Sequence, residues 1–440
     1  MLGIGVRKTV KKARQLIYRL SYNTLFFFRR GRIKKFDELL DGREAYFTID
    51  LHKAGFTDQL IQFIVFYSFG KSLGCQYYFT ELDSNRSKAG HETRDNAPYR
   101  TIYDFLGCHS YLKELSVEKP SSISKPITLD LDDSFFNERG LVQKELLTKY
   151  LKLKLYPLIK KQDNIHIKIG LKGHSSFFGT YNMLEGCQDA KLDFRYGFES
   201  NHKQTPRTSS YKQSAHSMVV HIRQGDTAIV RTPWNTFVNV WSGFGIDHSK
   251  IERDTLEEAR TYRHIVVDEY HAFLSALGKH LRDQFFPIQI FSDGYKRAFR
   301  DLLGSSESFS WAHEEIDKLK TSAETYDQKE FGIFDNDEAF RLTIGEGDKK
   351  LYDFVYALLH ADVVVMGTQQ RMVPKFLSVY CTPENMPLVI VLYNKFVPSR
   401  FGLGRSKLLK NYLLVDINDY DIPAIASQVK EFVLSRKKKD

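Results

Sequence analysis

Met218-Val219-Val220-His221-Ile222-Arg223-Gln224-Gly225-Asp226 is the stretch from which the fold is read. The apolar run from Met218 to Val220 marks a buried strand, and the polar residues after it mark that strand's carboxyl end. Strand side chains alternate, so His221 and Arg223 are expected on one face there. Gly225 permits a tight turn, and Asp226 sits on it. A guanidinium fixed at a strand end can grip a phosphate through two parallel bonds. Open α/β sheets bind ligands at the carboxyl ends of their strands. These residues therefore point to an α/β chain that takes a nucleoside-diphosphate donor.

Working outward, strand-like and helix-like runs alternate on both sides of this stretch. Before it, strands are expected at Ala45–Asp50, Gln76–Thr80, Pro126–Leu131 and Asn164–Ile169. Helices are expected near Phe56–Leu73, Thr101–Leu106 and Leu141–Ile159. From it onward, strands are expected at Met218–Arg223, Ile288–Ser292, Val363–Met366, Leu388–Leu392 and Tyr412–Asp416. The matching helices lie near Thr255–Gln284, Lys349–His360 and Ile422–Leu434. Such alternation implies parallel sheets covered on both faces. The polar stretch Ser200 to Ala215 reads as a linker between two halves. A chain of 440 residues is long enough for two domains. The expected organisation is a basic arm over 1–35, a first Rossmann-like domain over 36–205 and a second over 206–440. Two doubly wound domains facing across a cleft form the arrangement called GT-B in glycosyltransferases.

Three further segments carry chemistry. Ala54-Gly55-Phe56-Thr57-Asp58-Gln59-Leu60 follows the first strand and opens an apolar helix. Thr57 and Asp58 would also serve there as an ordinary helix cap. Ile288-Gln289-Ile290-Phe291-Ser292-Asp293-Gly294 reads as a strand that delivers Asp293 to a carboxyl end. Asp293 would meet a ribose or a neighbouring loop there, or cap a helix from Tyr295 to Leu303. In the third segment, an apolar helix containing Asp353 leads to the strand at Val363, then to Gly367-Thr368-Gln369-Gln370-Arg371 and another helix. The amides that open that last helix suit a phosphate without any side chain.

The His-x-Arg-x-Gly-Asp pattern of His221 to Asp226 resembles the first donor-binding motif of the fucosyltransferase superfamily. That superfamily includes α-1,2- and α-1,6-fucosyltransferases, nodulation fucosyltransferases and protein O-fucosyltransferases. The segment from Gly55 to Gln59 is similar to the family's Gly-x-x-Gly-Asn-Gln loop, with Thr57 for the second Gly and Asp58 for Asn. The Ser292-Asp293 end resembles the second motif. The stretch from Asp353 to Tyr380 resembles the third, with Gln369-Gln370 where a Ser pair is typical and Thr368 as a nearby hydroxyl. The likeness spans roughly residues 44 to 395 as separate islands.

The resemblance implies an inverting, metal-independent fucosyltransferase that moves fucose from GDP-fucose to a glycan hydroxyl. It assigns donor binding to His221, Arg223, Gly225, Gly55, Asp58, Gln59, Asp293, Asp353, Thr368, Gln369 and Gln370. Asp353 stands one residue out of register from the place of a guanine-reading carboxylate. Arg223 would stabilise the departing diphosphate. Asp226 is the motif's carboxylate for the acceptor proton, and it equally suits bracing Arg223 or capping the turn. The loop from Thr227 to Glu257, with Trp234, Trp241 and Phe244, is a candidate sugar-stacking region. The Asp-x-Asp runs Asp130-Leu131-Asp132 and Asp335-Asn336-Asp337 imitate a metal-dependent signature, but three-residue matches carry little among 54 acidic residues. No metal or other cofactor is needed by this reading.

Charge is unevenly placed. The chain carries +10 overall, and residues 1–35 hold eleven Lys/Arg and no Asp or Glu, so +10 less eleven leaves −1 for the rest. Val6, Val10, Ala13, Ile17 and Leu20 recur at helical spacing within that arm. Leu25-Phe26-Phe27-Phe28 follows, flanked by Arg29 and Arg30. A basic amphipathic helix suits an anionic membrane surface; it also suits packing on the protein's own body. No signal sequence or transmembrane stretch is evident. Cys75, Cys108, Cys187 and Cys381 show no paired spacing, as in a reducing compartment. The expected location is cytoplasmic, peripheral on the inner membrane surface. Two other readings stand beside this one: a GT-B enzyme using a different nucleotide sugar, and a nucleic-acid-binding protein using its basic arm. The near-neutral body argues against nucleic acid as a partner.

Overall fold

The computed structural model describes residues 2–51, 56–78, 102–108, 113, 116, 126–131, 144–171, 184–202, 216–224, 229–231, 236–239, 252–259, 265–285, 287–295, 323–345, 348–368, 372–395 and 409–437. The protein is α/β and divides into two compact units, one formed by 1–90 with 98–206 and the other by 91–97 with 207–440.

The first unit opens with the helix α1 (Leu2–Asp41). This helix runs unbroken past residue 35, where the arm was expected to end, and its last turns belong to the core. Phe36 is fully buried, with Phe26 and Leu40 nearly so. Strand β1 (Ala45–Asp50) follows, then α2 (Phe56–Ser72). Leu60, Ile61, Phe63, Ile64, Val65, Phe66 and Phe69 are all fully buried, as expected for a helix that is apolar all round. At its end Gly74 adopts φ +84°, and the Cys75 and Gly74 amides bond back to the Gly70 and Lys71 carbonyls at 3.2 and 3.0 Å. That is a Schellman stop, which needs a residue free of Cβ at the left-handed position.

Strands β2 (Gln76–Tyr77), β3 (Ile127–Leu131) and β4 (Ile165–Leu171) complete a four-stranded parallel sheet in the order β2-β1-β4-β3. Helix α3 (Lys144–Ile159) lies between β3 and β4 in the chain, and α4 (Gln188–His202) closes the unit. Polar α4 was not expected from sequence, although Ala190, Phe194 and Phe198 recur every fourth residue and are its buried stripe.

The second unit holds a six-stranded, fully parallel sheet. Its strands are β5 (Met218–Ile222), β9 (Ile288–Ser292), β10 (Phe340–Ile344), β11 (Val363–Gly367), β12 (Leu388–Tyr393) and β13 (Tyr412–Asp416). Between β5 and β9 a separate antiparallel sheet comprises β6 (Ile229–Arg231), β7 (Phe237–Asn239) and β8 (Glu252–Arg253). The stretch expected as one long loop therefore contains a small sheet. Trp234, Trp241 and Phe244 lie outside the described residues.

The order of the large sheet is β10-β9-β5-β11-β12-β13. Numbered along this unit alone it reads 3-2-1-4-5-6, the order of dinucleotide-binding sheets. The chain builds outward from β5 in one direction, returns, and builds outward in the other. Right-handed crossovers then place the first connecting helices on one face and the later ones on the opposite face. The helices α5 (Val267–Leu281), α6 (Ala323–Asp335) and α9 (Ile422–Lys437) share one core with Val220, Ile222, Ile290, Val363, Val365 and Ile390. The helix α7 (Asp348–Leu359) packs on the other face, where Phe354 meets Phe291. Helix α8 (Met372–Tyr380) follows β11. The single long helix expected over Thr255–Gln284 is interrupted, with α5 beginning at Val267 after a short turn at Leu256–Ala259.

All four cysteines are buried, and none forms a disulfide. Burial pushes the Cys75 thiol up to about 12 from an ordinary 9.0. An aromatic disulfide reagent at pH 8 is expected to label Cys75 only when the protein is unfolded. The raised value favours the folded state fully below pH 9.0, and that contribution falls away as the pH rises towards about 12. Rapid labelling of Cys75 in the native protein would contradict this.

Candidate functional site

The site is built around the reversal point of the six-stranded sheet. β5 pairs with β9 on one side and β11 on the other, in register at His221↔Phe291 and Met366↔His221. β5 and β11 are the strands from which the connections leave in opposite directions, and the carboxyl ends of two such strands are where sheets of this kind bind ligands. Arg223-Gln224 emerges from β5 there, and Thr368 from β11.

Alternation along β5 persists beyond its last ladder bond. Residues 221 and 223 are half-buried while 222 and 224 are buried. Ile222 enters the shared core beneath the sheet. His221 lies on the other face, its ring stacked on Phe354 at 4.3 Å between centroids and 23° between planes. Phe354 thus packs the start of the motif against α7. Asp353, its neighbour in the chain, is exposed.

Asp293 braces the motif. Its Oδ1 accepts from the Gln224 backbone N–H at 2.7 Å, tying the end of β9 to the residue after Arg223. The turn behind Asp293 is itself fixed. Gly294 donates to Ser292 Oγ at 3.1 Å, and the Tyr295 N–H donates to Asp327 at 2.8 Å. Gly294 sits at φ +65°, with the Asp327 carboxylate and Ile344 where a Cβ would project. Of the partners expected for Asp293, the neighbouring loop is present in its bond to the Gln224 amide. Replacing Asp293 with alanine leaves the Gln224 N–H without its acceptor, which costs about 1–3 kcal/mol. The thermal unfolding temperature is expected to drop in Asp293→Ala and largely recover in Asp293→Asn, which keeps an oxygen in place. A wild-type unfolding temperature in the alanine variant would show that Asp293 braces nothing.

Thr368 is buried, and its N–H donates to the Leu392 carbonyl at 3.1 Å, extending the β11–β12 ladder by one bond. Helix α8 then begins at Met372. Its first turn carries Lys375, only 3% exposed. Lys375 was not singled out from sequence, yet it is the one charged residue in Met372–Tyr380. Gly225, Asp226, Gln369 and Gln370 lie outside the described residues.

The remaining candidates belong to the first unit. Gly55 lies outside the described residues. Asp58 stands half-buried in the first turn of α2. Gln59 is nearly fully buried, and its Oε1 accepts from the Tyr103 hydroxyl at 2.8 Å. Burial pushes that phenol upward, so it stays protonated and keeps donating. Gln59 therefore has a structural partner in the core of its own unit. At the carboxyl end of this sheet Asp50 pairs with Lys168 at 2.7 Å, both partly exposed. Of the two Asp-x-Asp runs, Asp130 lies on β3, and Asp337 accepts from the Ala339 N–H at 2.9 Å in the turn after α6.

Comparison with protein-family models, with curated proteins and with solved structures gives no match for this chain.

Proposed function

We propose that the protein is a glycosyltransferase whose second unit binds the diphosphate of a nucleotide sugar, GDP-fucose, between the carboxyl ends of β5 and β11. One observation carries the reading: His221-x-Arg223 stands at the reversal point of a sheet ordered 3-2-1-4-5-6, the place where such sheets receive nucleotides. A GT-B arrangement, with the first unit on the acceptor side, goes with this proposal.

In the reaction the bond between the sugar carbon and the β-phosphate oxygen breaks. An acceptor hydroxyl oxygen attacks the opposite face of that carbon and gives up its proton. Negative charge grows on the departing diphosphate. Arg223 meets that charge, and the amides that open α8 help to meet it. Asp293 keeps Arg223 in place through the Gln224 amide. Asp353 reads the guanine edge, and Asp226 receives the acceptor proton or braces Arg223. The chemistry asks for no metal, because the cation and the amides neutralise the leaving group.

The test is release of GDP from GDP-fucose, first without acceptor and then across a panel of glycans, with the anomer of the product read by NMR. Acceptor-stimulated release with inversion supports the proposal. Release from UDP-sugars but not from GDP-fucose would keep a transferase and overturn the donor. No release from any nucleotide sugar would overturn the enzyme.

A further inference from the structure

The two sides of α1 differ sharply. On one side Phe26, Phe36 and Leu40 are buried, and α3 covers them. Tyr22 meets Tyr150 edge-on at 5.8 Å, Lys152 pairs with Asp37 at 2.5 Å, and Lys152 lies over the Phe36 ring. Phe27 is nine residues from Phe36, two and a half helical turns, so it faces the opposite way. Phe27 is 65% exposed and Phe28 76%, with Leu20 at 58%. Large apolar groups left in water side by side mark a contact surface.

This outer face continues the sequence stripe. Leu20 and Phe27 are seven residues apart and lie almost in line on the helix. Counting back from Leu20 in steps of three and four reaches positions 17, 13, 10 and 6, which are Ile17, Ala13, Val10 and Val6. The helix is unbroken over that distance. The apolar spacing in the sequence thus leads up to Leu20 and Phe27, which are exposed on the side away from α3. Cations flank them. Arg29, Arg30, Arg32, Lys34 and Lys35 are exposed, and the Arg30 guanidinium lies over the Phe27 ring at 5.5 Å. No acidic residue occurs before Asp37.

We propose that this outer face of α1 lies on an anionic lipid surface, with Phe27 and Phe28 entering the interface and the arginines and lysines meeting lipid phosphates. The pairing of an apolar line with a purely basic flank favours this occupant. A second copy of the same face would set cation against cation, and a nucleic acid would leave the phenylalanines without an apolar partner. No helix among the described residues is long and apolar enough to cross a membrane, and the proposal needs contact only. It is independent of the reaction proposed above.

The experiment is flotation of the full chain with vesicles of phosphatidylcholine, with and without phosphatidylglycerol, at low and high salt. The wild type is expected to float with the anionic vesicles, and less so as salt rises. The double variant Phe27→Ser, Phe28→Ser is expected to lose at least tenfold in partitioning, given roughly 25 cal/mol per Å² of apolar surface withdrawn from water. Its circular dichroism and unfolding temperature should match the wild type, because both side chains are exposed. Arg29→Gln with Arg30→Gln should weaken binding and flatten its salt dependence. Failure of the wild type to float, or equal flotation of the phenylalanine variant, overturns the proposal. So does a concentration-dependent dimer that the same substitutions abolish, or oligonucleotide binding that they leave intact in a chain that ignores vesicles.

Discussion

Substituting Arg223 with alanine is expected to slow sugar transfer by roughly 100- to 1000-fold, or about 2.7–4 kcal/mol. The size follows from where the charge develops. The leaving diphosphate gains negative charge only as the sugar bond breaks, so a cation already held in position acts mainly on the transition state. Arg223 is held in that way. It follows the buried strand β5, its neighbour Gln224 is clamped by Asp293 at 2.7 Å, and His221 is stacked on Phe354. Arg223→Lys keeps a charge but loses the planar fork, so an intermediate rate is expected. The side chain is half-buried rather than part of the core, so both variants should unfold near the wild-type temperature. Steady-state GDP release checks the rates, and an unchanged rate in Arg223→Ala would remove this residue from the chemistry.

Phe63→Ala is expected to remove about 3–5 kcal/mol from the stability of the first unit. Phe63 is fully buried on α2 and meets Tyr67, Tyr77 and Phe194, with ring centroids 6.1, 5.8 and 5.6 Å away. These three come from α2 itself, β2 and α4, so the ring joins three elements. Its loss leaves a cavity that rigid aromatic neighbours fill poorly. Against a total of about 5–15 kcal/mol for a typical domain, the effect is large. All 3 tryptophans, Trp234, Trp241 and Trp311, belong to the second unit. Far-UV circular dichroism should therefore show an early transition in denaturant, while tryptophan fluorescence and GDP binding stay near wild type. Equal shifts in both signals would show that the units unfold as one.

Much of the parallel framework was legible because its strands are short, mostly apolar runs that end in a polar residue. Ala45–Asp50, Ile288–Ser292 and Tyr412–Asp416 fall on the expected residues. Strand β10 was missed for the opposite reason. Phe340–Ile344 lies at a sheet edge, with only Phe340 buried and Arg341 exposed, so its apolar signal is short and diluted. The polar helix α6 and the small antiparallel sheet inside the expected loop were missed on similar grounds.

The site was legible where it is local. His221, Arg223 and Asp293 read as strand ends from their own neighbours in sequence. What joins them is not local: the Asp293–Gln224 bond spans 69 residues and ends on a backbone N–H, which no residue type announces. The Tyr103–Gln59 bond spans 44 residues and draws Gln59 into its own core. The strand order that sets the reversal point between β5 and β11 likewise exists only once the sheet has formed.

The central claim is a guanine-nucleotide diphosphate site at the ends of β5 and β11, and calorimetric titration of GDP, UDP and ADP tests it most directly. Wild type and Arg223→Ala should be measured side by side. The wild type should bind GDP selectively, and the variant should lose that binding. Binding of no nucleotide by folded wild-type protein would contradict the account, as would GDP binding that Arg223→Ala leaves unchanged.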